Sequence, residues 1–405
     1  MKKQPFIFSQ LFTVITLLLL GLNTYSQKFS DKEMLKMIDD RLDKSTDKAI
    51  SMAKSLQNDK LLLPKTFENG RLITAPSKWW TSGFYPGQLW YLYENKPTPE
   101  LKTIAQDFLS RVEIEQYTTD NHDVGFMIFC SFGNAYRITK DEKYKPIILQ
   151  GAASLSTRFD NRVGLIKSWN STKARQYPVI IDNMMNLELL MWAAKNSNNK
   201  KLKEISLSHA DKTIKNHFRE DFSTYHLVSY DTISAQPHLK QTVQGYADNS
   251  AWARGQGWAL YGYTMMYRET GNIKYLNQAE GIAQFLIKHP NLPKDGIPYW
   301  DFNAPNIPNA LRDASAGALI ASALIELSGL TKSKINSNTY LNMAKKQVVS
   351  LSSPAYFATQ GTNGNFILKH SVGSLPGKLE VDTPLTYADY YYVEALMRLK
   401  KLLKD

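Results

Sequence analysis

Apolar residues recur at three- and four-residue spacing through ten stretches: 101–112, 124–138, 144–159, 183–195, 202–218, 251–270, 273–289, 314–327, 340–351 and 387–403. Residues 32–56 and 86–94 extend the pattern. This spacing gives each stretch one apolar face, and together they predict twelve helices. Thr270-Gly271-Asn272 and Ser328-Gly329 mark helix ends, and Pro86 stands where a first turn tolerates proline. Alternation is scarce. Residues 225–230 (YHLVSY) and 366–368 read as loop hairpins rather than as a sheet. Residues 160–178 and 295–309 show neither period and carry Trp, Pro and Asn, as functional loops do.

Every second helix follows a loop rich in aromatic or acidic residues. The six are SKWWTSGFYPG (77–87), TDNHDVGF (119–126), YPVIIDNMMN (177–186), GYADNSAWARGQ (245–256), LRDASAG (311–317) and DTPLTYADYY (382–391). Twelve helices in this alternation describe an all-α fold, an (α/α)6 barrel of six helix hairpins with all six loops at one end. Gly255, Gly257, Ala259 and Gly262, and the alanines of 314–323, are small enough to let helices crowd an inner ring. A superhelical repeat array is the rival architecture, but it needs polar terminal caps that the sequence lacks.

The 405 residues, 43% hydrophobic, supply a large core, and no linker or low-complexity stretch divides them. Lys2 and Lys3, the apolar run 11–22, and Thr24 and Ser26 form a signal-peptide pattern with cleavage after Ser26. The run is too short to span a bilayer. The expectation is an export signal at 1–26 and one catalytic domain at 27–405. The protein would be periplasmic or secreted, with no stable membrane association after signal removal. Cys130, the only cysteine, excludes an intramolecular disulfide and a multi-cysteine metal site. The net charge is +12. Its basic residues are scattered and lack a nucleic-acid motif, so anionic polysaccharide is the better partner.

Asp123, Asp182 and Asp248 stand at helix entrances, where an Asp ordinarily caps free backbone donors. Asp182 differs, because Val179, Ile180, Ile181, Met184 and Met185 flank it. Desolvation there raises a carboxyl pKa and suits it to donate a proton near neutrality, and a charged Asp123 nearby would push it further. Gln244 and Arg254 offer donors to hydroxyls or a carboxylate. Trp79, Trp80, Trp169, Trp252, Trp258 and Trp300 offer flat faces to a sugar ring, while Trp90 and Trp192 read as core. His226 is the histidine placed to act. No metal or cofactor is expected, since metal-ligand spacing, a phosphate loop and a Gly-x-Ser-x-Gly elbow are all missing.

Seven motifs carry a resemblance: WWTSGFYPGQLWYLYE from Trp79, HDVGF from His122, IDNMMNLELLMWAA from Ile181, STYHLVSYD from Ser223, TVQGYADNSAWARGQGWALYGY from Thr242, RDASAGA from Arg312 and YADYYYVEAL from Tyr387. In this order the chain resembles the unsaturated glucuronyl hydrolases, glycoside hydrolase family 88. The resemblance implies an (α/α)6 barrel that removes a 4,5-unsaturated uronic acid from lyase-generated oligosaccharides such as glycosaminoglycan or ulvan fragments. It implies hydration of the enol-ether double bond, with the proton going to carbon 4 and water to carbon 5. By the same resemblance Asp182 is the acid and then the base, and Asp123 holds ring hydroxyls and tunes it. His226, Gln244, Arg254, Trp258 and Trp79 or Trp80 match substrate-contacting positions. Ser371 and Ser374 resemble a sulfate-contacting stretch, although Lys378 follows later than in that pattern. A sugar epimerase on the same barrel, which would need a histidine pair, and a non-catalytic oligosaccharide-binding protein are the alternatives.

Overall fold

The structure, a computed structural model, describes residues 29–404. The export signal expected at 1–26 lies outside the described residues. Besides the short 3-10 turns Glu113–Tyr117 and Asn363–Asn365, twelve helices follow one another among the described residues: α1 (Asp31–Ser55), α2 (Phe84–Asn95), α3 (Pro99–Ser110), α4 (Gly125–Gly133 continued by Asn134–Thr139), α5 (Tyr144–Ser156) and α6 (Asn183–Ser197). Then come α7 (Lys200–His217), α8 (Ala253–Thr270), α9 (Ile273–Lys288), α10 (Ala314–Leu330), α11 (Lys334–Leu351) and α12 (Thr386–Lys404). The even-numbered helices pack side by side into a closed inner ring, α12 meeting α2, and each also packs on an outer helix. The fold is the expected (α/α)6 barrel, with α1 pairing chiefly with α12.

The two rings have different sequences for a physical reason. Outer helices are amphipathic, and all but α5 start on side-chain caps: Ser30 in a capping box with Glu33, Thr98 before Pro99, and Asn199, Asn272 and Ser333. Inner helices are walled on all sides, so nearly every residue of α8 from Ala253 to Met266 is buried. Small residues make that crowding feasible. A Cβ on Gly262 would lie 2.5 Å from the Met184 Cβ, and one on Gly87 would lie 2.2 Å from the Cys130 carbonyl oxygen. No described helix is long and apolar enough to cross a membrane.

Two expectations need correction. Residues 124–138 were expected to form a regular helix, but α4 opens with a nine-residue π-helical stretch, Gly125–Gly133. Asn186 on α6 serves a free first-turn donor of this stretch, its Oδ1 accepting from the Phe126 N–H at 3.0 Å. A Cβ on Gly125 would sit 2.4 Å from that oxygen, so only glycine fits. The second correction concerns 225–230. Its core, β6 (Leu227–Tyr230), is the centre of a three-stranded antiparallel sheet between β5 (Tyr177–Ile180) and β7 (Pro237–Gln241). The pairing with β7 is a local hairpin, as expected, and what local alternation does not reveal is the pairing with β5, far earlier in the chain. Residues 366–368 make only the isolated bridge Phe357–Leu368. Three two-stranded hairpins complete the loops: β1 (Leu62–Glu68) with β2 (Arg71–Pro76), β3 (Phe159–Asp160) with β4 (Leu165–Ile166), and β8 (Ser371–Ser374) with β9 (Leu379–Thr383).

Candidate active site

The six loops meet at one end of the inner ring and are stitched to one another. Lys78 pairs with Asp120 at 2.9 Å, and the His122 N–H donates to the Ser168 carbonyl. Trp252 bridges to Asp301, Tyr299 to Arg312, the Ala314 N–H donates to His370, and Thr66 bridges to Leu385. The three-stranded sheet aligns the chemistry. Its register pairs Ile180 with Leu227, and one residue on, the Ile181 N–H donates to the His226 carbonyl at 3.0 Å. Asp182 and His226 are thereby brought together, with His226 Nε2 3.6 Å from Asp182 Oδ2.

Asp182 heads α6 without capping it. Its side chain accepts no hydrogen bond from the helix, and Oδ2 is buried without any partner in the protein. The ordinary structural reason for an Asp at this position is therefore absent. Burial pushes its pKa up to about 7, against the pull of Arg254 and of the Trp258 indole N–H. Asp123 likewise caps nothing, because α4 begins without a side-chain cap. Burial and then the neighbouring Asp182 push Asp123 up to about 8. The Asp123 side chain keeps 20% exposure against 11% for Asp182, so water tempers the shift more at Asp123. Each acid stands in the other's field, so the two titrate as a pair and the first proton lost makes the second harder to remove. Arg254 draws the Asp182 pKa down and Arg158 that of Asp123, but burial outweighs both. Asp248 is no cap either; it accepts from the Thr242 N–H at 2.9 Å and folds its own loop.

Neutral histidines face both acids. His122 Nε2 lies 3.4 Å from Asp123 Oδ1, and burial lowers the pKa of His122 and of His226 to about 3. The tautomer of His226 follows from its partners. Nδ1 accepts from the Val243 and Gln244 N–H groups at 3.1 and 3.2 Å, so the proton sits on Nε2, toward Asp182. Gln244 therefore helps fix His226 through its backbone, and its side chain is half-buried.

The remaining candidates divide sharply. Trp79, 38% exposed, and the half-buried Trp80 and Trp169 keep free surface at the mouth. Trp252 and Trp300 are buried, and one face of Trp252 carries His226 at 4.4 Å between ring centres. Trp258 is completely buried against Phe126 and Tyr391. Trp252 and Trp258 thus present no ring face to a sugar, correcting that expectation; inner-helix crowding enclosed them. What Trp258 offers is its indole N–H beside Asp182, which has no partner. Arg254 is buried too. Its terminal nitrogens reach Asp313 at 3.1 Å and the carbonyls of Val372 and Gly373 at 2.5 and 2.7 Å, so only Nε is left over. Arg254 thereby moors β8 to the barrel. Ser371 on β8 is fully buried with an unpaired hydroxyl, and Ser374 Oγ accepts from the Gly377 N–H.

Sequence reasoning missed several residues here. Asp313 caps α10 and pairs Arg254, and its RDASAGA motif had already marked the spot. Asp301 holds the 245–250 loop by accepting from the Tyr246 N–H and the Ser250 hydroxyl. Lys65 lies 3.2 Å from Glu380 and over the Trp79 ring, but no sequence signal pairs them. Among the described residues, no group of three His, Cys, Asp or Glu side chains could hold a metal ion.

Residues 61–400 match the model of glycosyl hydrolase family 88. The chain belongs to that family. It is 48% identical over 331 residues to an unsaturated glucuronyl hydrolase of Formosa agariphila, covering 81% of this chain and 82% of the relative. An unsaturated chondroitin disaccharide hydrolase of Streptococcus pneumoniae is 33% identical over 344 residues, 84% of this chain and 86% of that one. Among solved structures, an unsaturated glucuronyl hydrolase specific for heparin superposes with a TM-score of 0.86 at 46% identity, covering 91% of this chain and 99% of that one. The glycosaminoglycan-degrading enzyme of Bacillus sp. GL1 gives 0.82 at 28% identity, over 89% and 97%. By class the family 88 chain is a glycosidase, an unsaturated glucuronyl hydrolase.

Proposed function

We propose that this family 88 chain removes the terminal 4,5-unsaturated uronic acid from anionic oligosaccharides, sulfated ones included, with Asp182 as its proton carrier. The observation that carries the assignment is Asp182 itself: a buried carboxyl at a helix start that caps nothing, holds its proton near neutrality and faces the Nε2–H of a neutral histidine. Asp182 gives its proton to carbon 4, and the electron pair of the double bond forms the new C–H bond. The cation left at carbon 5 is shared with the ring oxygen. Water adds at carbon 5 and returns a proton to the Asp182 carboxylate. The resulting hemiketal opens to a ketone, and the former anomeric carbon, now a hemiacetal, expels the rest of the oligosaccharide. Asp123 orients ring hydroxyls, His226 steadies the Asp182 anion by donation, and Trp79 and Trp80 form the wall at the entrance.

The positive balance of the chain favours anionic substrates, and relatives are named for heparin and chondroitin fragments. Glycosaminoglycan or ulvan fragments are the proposed substrates, met after export through the 1–26 segment. Lyase digests of heparin, chondroitin, hyaluronan and ulvan test the reading through loss of the conjugated ultraviolet absorbance. Loss on at least one digest is expected. No loss on any would refute the assignment.

A further inference from the structure

Beside Trp79, the β1–β2 and β8–β9 hairpins both depart from regular pairing. In β1 the register with β2 slips between Pro64 and Thr66, which makes Lys65 the extra residue of a bulge. A bulge re-aims a side chain that a regular strand would point elsewhere. In β9, Glu380 takes a left-handed φ of 54°, as Asp382 does two residues on. Across the hairpin stands Gly373, where a Cβ would lie 2.4 Å from Glu380 Oε2. Glycine there leaves room for the carboxylate.

These departures bring the Lys65 ammonium to 3.2 Å from the Glu380 carboxylate and 4.5 Å from the centre of the Trp79 ring. Thr66 Oγ1, donating to the Pro384 carbonyl at 2.7 Å, ties the two hairpins at that spacing. No hydrogen bond is aligned on Glu380 Oε1, so charge alone holds the pair, and the Trp79 face supplies the second hold on Lys65. An ammonium over a part-exposed indole adds little to stability, less than a left-handed glutamate costs. What the contact does is fix the ring's orientation. We infer that Lys65, pinned by Glu380, is a positioning residue for Trp79: it covers one indole face and keeps the other turned to the sugar that follows the uronic acid. This deepens the reaction proposed above and rests on it.

Steady-state kinetics on an unsaturated uronyl disaccharide test the inference. Lys65→Met should raise KM at least three-fold with kcat within two-fold. Lys65→Arg keeps the charge and lays a flat group on the ring, so its KM should stay within two-fold of wild type. In a Trp79→Ala background Lys65→Met should have almost no further effect, because the ring it acts on is gone. Additive losses would show that Lys65 meets the substrate itself and would overturn the inference, as would an unchanged KM in Lys65→Met. Glu380→Gln decides the case if Lys65→Met does not fold: KM should rise about two-fold, and no rise would overturn the inference. Acrylamide quenching of the Trp79 fluorescence, taken as the difference between wild type and Trp79→Phe, needs no substrate. Lys65→Met should make that component more readily quenched, and unchanged quenching would also overturn the inference. A wild type inactive on every unsaturated uronide would instead remove the proposed function, while the quenching result still shows whether Lys65 holds Trp79.

Discussion

Toward the far end of the barrel, Glu394 accepts hydrogen bonds from Tyr91, Tyr261 and Ser322 and lies 3.5 Å from Arg398. Arg398 also reaches Glu326, and Arg268 bridges Glu188, Glu269 and Glu326. These residues surround a cavity of about 600 Å³, yet their charges answer one another. At the mouth, Asp182 Oδ2, His226 Nε2, Trp258 Nε1, Arg254 Nε, Tyr387 Oη and Ser371 Oγ are equally buried and lack partners. Both regions are dense in aromatic and ionisable side chains. Polar density alone therefore does not locate chemistry in this barrel. Unanswered buried polarity does so only where it gathers around one acid, as His226, Trp258 and Arg254 gather around Asp182; single unpaired atoms such as Trp90 Nε1, His217 Nδ1 and Tyr391 Oη also occur elsewhere.

Substitutions at the two ends should separate activity from stability. Asp182→Asn should lower kcat by at least about a thousand-fold, in the range of a lost acid–base group, while the chain stays folded. Retained turnover in rate assays would move the acid elsewhere. Glu394→Ala should do the reverse. Stripping several partners of their acceptor should cost about 3 kcal/mol in chemical denaturation, with kcat of the folded enzyme within two-fold. A comparable loss of kcat would erase the contrast between the ends.

The pH behaviour sharpens the same point. Burial raises Asp123 and Asp182 from 3.8 to about 8 and about 7, so the folded state binds their protons more tightly than the unfolded chain does. The stability this gives is full below about 4 and is lost as pH rises through 7 to 8. Unfolding scans should show wild-type Tm falling over that window and the Asp123→Asn/Asp182→Asn double variant falling less. The rate should drop on the same side, as Asp182 loses its proton near 7. Smallest of all, Trp79→Ala should raise KM several-fold with kcat nearly unchanged, since it removes one exposed face at the rim.

The ring of helices was readable because each helix repeats a local period, and the crowding of the inner ring was readable from Gly262 and its neighbours. Asp182 could be read from its apolar flanks. What stayed hidden depends on contacts between distant segments: Asn186 meeting the Phe126 N–H, β5 pairing with β6, and Lys65 meeting Glu380. The burial of Trp252 and Trp258 belongs with these. Their loop-like motif suggested open faces, but inner-ring packing decides exposure, and no single segment encodes that packing.

Turnover of an unsaturated uronyl disaccharide in deuterium oxide enriched in oxygen-18 tests the role of Asp182 and the double bond most directly. The account predicts one deuterium at carbon 4 of the released acid, no oxygen-18 in the departing sugar, and loss of both product and label in Asp182→Asn. A product that keeps its double bond, or label appearing without Asp182, would contradict it.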